Sequence, residues 1–187
     1  MSDSTKQWFS LYTKPGAEKK VANILSRKNI ENYCPLQRQW NGKKIVISAP
    51  LFKSFVFVQI AEADFQKIRL IDGVLNFVYW LGKPAVIQDD EIEIMKNFMN
   101  EYIYVKLERV PFSVDGLVRV VEGAAEVNKA NKITIVNNQV RILLPSLGYV
   151  MFAEVETAGV SAQPVKSESL SIFEKYQFNF KHRLAIQ

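Results

Sequence analysis

Three places in this chain carry side chains that could do acid–base, nucleophilic or metal chemistry. Asp89-Asp90-Glu91 groups three carboxylates, enough in principle to attract a divalent cation. Cys34 is the one cysteine and His182 the one histidine. Neither stands in a pattern that catalysis needs. Cys34 follows an aromatic and precedes Pro35, where a small buried apolar side chain is the expected role. His182 lies in a basic, aromatic C-terminal stretch, where a triad base is not expected. The carboxylates open an amphipathic stretch, and a helix N-terminus draws acidic residues through its dipole and free N–H groups. No GxGxxG, GxxxxGK, CxxC or HExxH pattern occurs. The chain is therefore expected not to be an enzyme and to need neither cofactor nor metal.

Its remaining chemistry is that of binding. The net charge of +5 is unevenly spread. Residues 1–60 hold ten Lys/Arg against three Asp/Glu, whereas residues 61–187 hold fourteen against sixteen. A basic N-terminal block suits a polyanion such as nucleic acid. The second binding feature is PLFKSFVFV, residues 50–58. Period-two alternation puts Lys53, Phe55 and Phe57 on one face and Phe52, Ser54, Val56 and Val58 on the other. Such a strand is either covered on both sides or offers aromatic rings to a partner.

These features need elements to hold them. Residues 7–13 alternate as a first strand, ended by Lys14-Pro15-Gly16, and a helix follows over 17–28 with Ala17, Val21, Ile24 and Leu25 at helical spacing. Asn41-Gly42 signals a tight two-residue hairpin turn before a strand over 45–48. Residues 62–71 read as a short helix, and 74–80 as another strand apolar on both faces. Asp89 or Asp90 is expected to cap a helix whose stripe is Ile92, Met95, Met99 and Tyr102. The pattern lapses over 105–111, the expected linker. Then 117–121, 132–136, 139–144 and 149–155 are four short β-type runs, expected to form a small barrel within 112–156. Residues 157–187 form a tail, small and polar at first and then aromatic and basic. No run approaches about 18 apolar residues, so no membrane-spanning helix is expected. With no signal-like N-terminus, a cytoplasmic monomer is expected.

Taken in order, Trp8-Phe9-x-x-Tyr12-x-Lys14-x-Gly16, the basic helix, Pro50-Leu51-Phe52-x-x-Phe55-Val56-Phe57-Val58, Gly73-Val74-x-x-Phe77-Val78 and Pro84-Ala85 before an acidic helix start resemble the N-terminal domain of the NusG family of transcription elongation factors. The flavour is that of its specialised paralogues, RfaH and the UpxY antiterminators of capsular polysaccharide operons. The usual strand motif has Pro-Gly-Tyr where this chain has Lys53-Ser54-Phe55, and the KOW turn of the second module keeps one glycine in 122–127.

The resemblance implies an α+β fold: an antiparallel sheet flanked by helices over 1–104, then a KOW-like, SH3-like barrel. It implies an antitermination and elongation factor that binds the clamp helices of the largest RNA polymerase subunit and promotes processive transcription of specific long operons. The positions matching the polymerase-binding patch are Tyr12, Phe52, Phe55, Phe57 and Ile92. Gln66 and Lys67 match the gate-loop contact, and Lys14, Lys19, Lys20, Arg27 and Lys28 match the contact with non-template DNA. Rho or a ribosomal protein is the partner implied for the second module. Truncating Phe57 is expected to weaken polymerase binding while leaving the domain folded. The competing reading is a general RNA- or DNA-binding module independent of polymerase, its aromatics stacking bases.

Overall fold

The computed structural model describes residues 5–110 and 138–154, together with the backbone of a strand at 133–136. The first sheet holds β1 (Gln7–Thr13), β2 (Asn32–Tyr33), β5 (Phe55–Ile60), β6 (Val74–Phe77) and β9 (Val86–Ile87). Its order is β2-β5-β1-β6, with β9 sharing the β6 edge of β1, and every pairing is antiparallel. Helices α1 (Glu18–Arg27), α2 (Phe65–Arg69) and α3 (Asp89–Glu101) flank it. Two hairpins project: β3 (Leu36–Trp40) with β4 (Ile45–Pro50), and β7 (Tyr79–Trp80) with β8 (Lys83–Pro84). A second sheet follows, β10 (Lys106–Arg109), β11 (Ile133–Val136), β12 (Gln139–Leu144) and β13 (Tyr149–Glu154), in the order β10-β13-β12-β11. The class is thus the expected mixed one, antiparallel sheets with few helices. Among the described residues no helix is long and apolar enough to cross a membrane.

The first sheet is covered on both faces, as its two-sided apolar strands require. On one face Phe9, Leu11, Val56, Val58 and Ile60 pack with Val21 and Leu25 of α1 and Ile68 of α2. On the other, Trp8 and Phe57 join Ile92, Met95, Phe98 and Met99 of α3. That second cluster does not stop at α3. It continues into Val140, Ile142, Leu144, Met151 and Ala153 of the second sheet, so one apolar core joins the two sheets.

Several boundaries differ from those the sequence suggests. Residues 50–58 are not one strand: a turn over 51–54 interrupts them, with Ser54 at φ 65°. That left-handed residue resets the alternation, and Phe52 falls on the Phe57 side, the two rings meeting edge to face at 5.3 Å. The position where the usual motif has glycine therefore still takes a glycine-like conformation, here with a side chain attached. The Asn41-Gly42 hairpin forms, but its loop is four residues, with Trp40 paired to Ile45. The Asn41 side chain explains this, accepting from the N–H groups of Lys43 and Lys44 at 3.1 and 2.9 Å. Residues 74–80 split into β6 and β7. Gln88, not an aspartate, is the N-cap residue of α3, and Asp89, Asp90 and Glu91 fill its first turn. The expected linker, 105–111, contains β10, a polar edge strand on β13. The expected strand at 117–121, the glycine turn at 122–127 and the tail at 157–187, His182 included, lie outside the described residues.

Candidate functional site

Phe52, Phe57 and Ile92 come together, on one face of the first sheet, but they are not uncovered. Their exposures are 3, 0 and 2%. Of the two alternatives the sequence leaves open, these three positions take the covered one. Tyr149 meets the Phe52 ring edge to face at 5.5 Å, and Leu147, Tyr149 and Leu107 pack on the same cluster. The apolar face is large enough to need a cover, and this chain supplies one.

Tyr12 and Phe55 lie at the rim of that cover. Tyr12 is 43% exposed, Phe55 is half-buried, and their rings pair at 5.7 Å. The register explains their adjacency, since Tyr12 of β1 sits opposite Phe55 of β5.

One polar contact fastens the cover. Glu91, 2% exposed, accepts from Ser146 Oγ at 2.8 Å and from Ser146 N at 3.2 Å. Sequence reasoning placed Glu91 among the helix-start carboxylates and missed this role. A signal was present: Glu91 precedes Met95 by four and Phe98 by seven, which puts it on the buried stripe of α3 and apart from Asp89 and Asp90.

The basic candidates occupy the opposite side. Lys14, Lys19, Lys20, Arg27 and Lys28 all lie exposed on α1 or its flanks, and Gln66 and Lys67 lie exposed on α2. Part of this charge is already engaged. Lys20 binds Asp72 at 2.6 Å and Lys14 approaches it at 3.9 Å, while Lys19 donates to Ser48 O at 2.6 Å. The hydrogen bond from Lys20, then its charge and that of Lys14, hold the Asp72 carboxyl below its usual range. Lys67 pairs with Asp64 at 2.9 Å. Arg27 and Lys28, at the C-terminal end of α1, have no ion-pair partner among the described residues.

Glu18 is the one buried acid of α1, 4% exposed. Its Oε1 accepts from Ser54 N at 2.6 Å, tying the helix start to the turn before β5. Burial pushes its pKa up, but backbone N–H groups of Glu18, Ser54 and Gly16 outweigh that, and the carboxyl sits below its ordinary value. Burial first, then the charge of Glu18, pushes the Cys34 thiol up to about 11, so it stays protonated at neutral pH. Among the described residues no three His, Cys, Asp or Glu side chains gather as a metal site would.

Comparisons with known proteins bear on the first sheet and its helices. Residues 6–96 match the family model described as "Transcription termination factor nusG". Among solved structures the chain is similar to one titled "Domain interaction in Thermotoga maritima NusG". The identity is 20%, the match covers 81% of this chain and 93% of that one, and the TM-score is 0.46. Residues 6–96 thus carry a NusG-family domain.

Proposed function

We propose that this chain is a specialised transcription antiterminator, of the RfaH and UpxY kind, that binds RNA polymerase and keeps it elongating along particular long operons. Its polymerase-binding face is the one formed by Tyr12, Phe52, Phe55, Phe57 and Ile92, and its target is the helical clamp of the largest subunit. Gln66 and Lys67 on the far side reach the gate loop, and the α1 cations meet the non-template strand. No bond is made or broken. A factor that binds the closed clamp better than the open one shifts the population towards processive elongation.

The observation that supports this reading is the aromatic face itself: Phe52, packed edge to face on Phe57, lies under Tyr149 of a separate sheet that the buried Glu91 carboxylate helps to fasten. A cover held this way is displaceable, and the clamp helices would replace it. The second sheet thereby sets how much of the chain is ready to bind, and apparent affinity falls with that fraction. Rho or a ribosomal protein is a partner for the second sheet once it is free.

The test is recovery of core RNA polymerase by the tagged full chain at low and at moderate salt. Phe55→Ala and Tyr12→Ala, both at the rim, are expected to lower recovery at both salts, and Ser146→Ala to raise it. Phe57 is unsuitable, because emptying so enclosed a site costs about 3–5 kcal/mol of stability. Recovery that vanishes as salt rises and ignores both rim substitutions overturns the proposal in favour of a general nucleic-acid-binding module.

A further inference from the structure

We infer that the β3–β4 hairpin, together with Tyr104, is a platform for an unpaired polynucleotide strand, distinct from the basic face of α1. Trp40, the last residue of β3, is 50% exposed, and so is Tyr104. The two are tied by their polar atoms. Tyr104 Oη accepts from Trp40 N at 3.1 Å and donates to Trp40 O at 3.0 Å. Tyr104 N donates to Arg38 O at 3.0 Å, and Tyr104 itself sits at φ 56°. Arg38 in turn donates to Met99 O and Asn100 O at 3.0 and 2.8 Å, anchoring the hairpin to the end of α3. These bonds hold the Tyr104 ring and the backbone that carries Trp40, and two large rings left half in water beside each other are a surface on which bases can stack.

The charge around the rings has the sign that phosphates require. Lys43 and Lys44 form the hairpin loop, both exposed, their backbone fixed by Asn41 Oδ1. Unlike Lys14 and Lys20, they have no carboxylate partner among the described residues. No Asp or Glu occurs between Glu31 and Glu62 in sequence, a stretch that holds Arg38, Lys43, Lys44 and Lys53. Glu101, at the end of α3, is the one acid between Glu93 and Glu108 in sequence. Aromatic faces beside free cations match a strand whose bases are unpaired, because paired bases keep their faces inside the stack. An apolar protein partner would instead need a continuous apolar patch, which the lysines interrupt.

The test needs no polymerase, so its outcome is independent of the clamp-binding proposal. Anisotropy titrations of the full chain would use labelled oligothymidylate and oligouridylate of about 12 nucleotides and the matching DNA duplex, over a range of salt. Trp40→Ala is expected to weaken single-strand binding about tenfold, with the salt slope and the duplex affinity unchanged. Trp40→Phe, which keeps a ring, should restore most of the loss. Lys43→Ala with Lys44→Ala should lower the slope of log affinity against log salt by about 1.4. An effect confined to one oligonucleotide assigns the platform to DNA or to RNA and supports it. Single-strand affinity indifferent to Trp40→Ala, an equal loss on the duplex, or Trp40→Phe behaving as alanine overturns it.

Discussion

Removing either partner of the Glu91–Ser146 contact should loosen the second sheet from the first. Ser146 gives two donors to one carboxylate, and the shorter bond, Oγ to Oε1, is 2.8 Å. A hydrogen bond contributes about 0.5–1.5 kcal/mol net, and about 1.5–3 kcal/mol where the acceptor is charged; two donors meet Glu91, which is almost wholly withdrawn from water. Ser146→Ala removes the Oγ bond and leaves the backbone donor. Glu91→Ala removes both and leaves Ser146 N without this acceptor. A double-mutant cycle separates the pair from the damage each change does alone. Urea unfolding of wild type, both singles and the double should give a coupling energy of about 1.5 kcal/mol or more. Because the open form solvates both groups, the same energy shifts the docking equilibrium roughly tenfold for each 1.4 kcal/mol. The open form should then show in the double variant as increased binding of an apolar dye to the bared aromatic face. Strictly additive singles, with a coupling energy near zero, would refute the claim that this contact fastens the sheets.

Gly73→Ala should destabilise the fold by about 2 kcal/mol or more in a urea titration, since Gly73 sits at φ 96° and a Cβ there would lie 2.9 Å from Val21 Cγ2. An unchanged midpoint would mean that α1 gives way freely. Ser54→Gly should raise stability, by up to about 1 kcal/mol, by relieving the left-handed serine, and a lower melting temperature would contradict this. Glu18 contributes stability that is present above its unfolded pKa of about 4.3 and is lost as pH falls through its lower folded value. Urea midpoints across acidic pH should therefore fall less steeply in Glu18→Gln than in wild type. Phe57→Ala should cost about 3–5 kcal/mol in a thermal or urea melt, because its ring is fully buried in the core that holds α3, Phe52 and Tyr33.

Much of the first sheet is legible in the sequence because its signals are local. The apolar spacing of Val21 and Leu25, and of Ile92, Met95 and Met99, marks α1 and α3, and the alternation of Trp8 against Phe9 and Leu11 marks β1. What stays hidden is set by single torsions or by distant chain. Ser54 at a positive φ flips Phe52 to the other face, and no count of alternating residues registers that. β10 reads as mixed charge because it is exposed along most of its length, an edge among the described strands, so burial imposes no pattern on it. The aromatic rings of the candidate site are picked out by the resemblance of their motifs to those of the family. Their cover was not, since it comes from residues nearly a hundred positions later. Glu91 shows the same division: its place on the helix stripe is local, and its partner Ser146 is not.

The connector between the sheets is short, four residues from Glu101 at the end of α3 to Lys106 at the start of β10. A tether of that length keeps a detached second sheet at an effective concentration on the order of millimolar beside the face it left. Any external protein competing for that face from roughly micromolar solution starts at about a thousandfold disadvantage, near 4 kcal/mol. Lengthening the connector would hand that advantage back to the competitor without altering a single contact on the face.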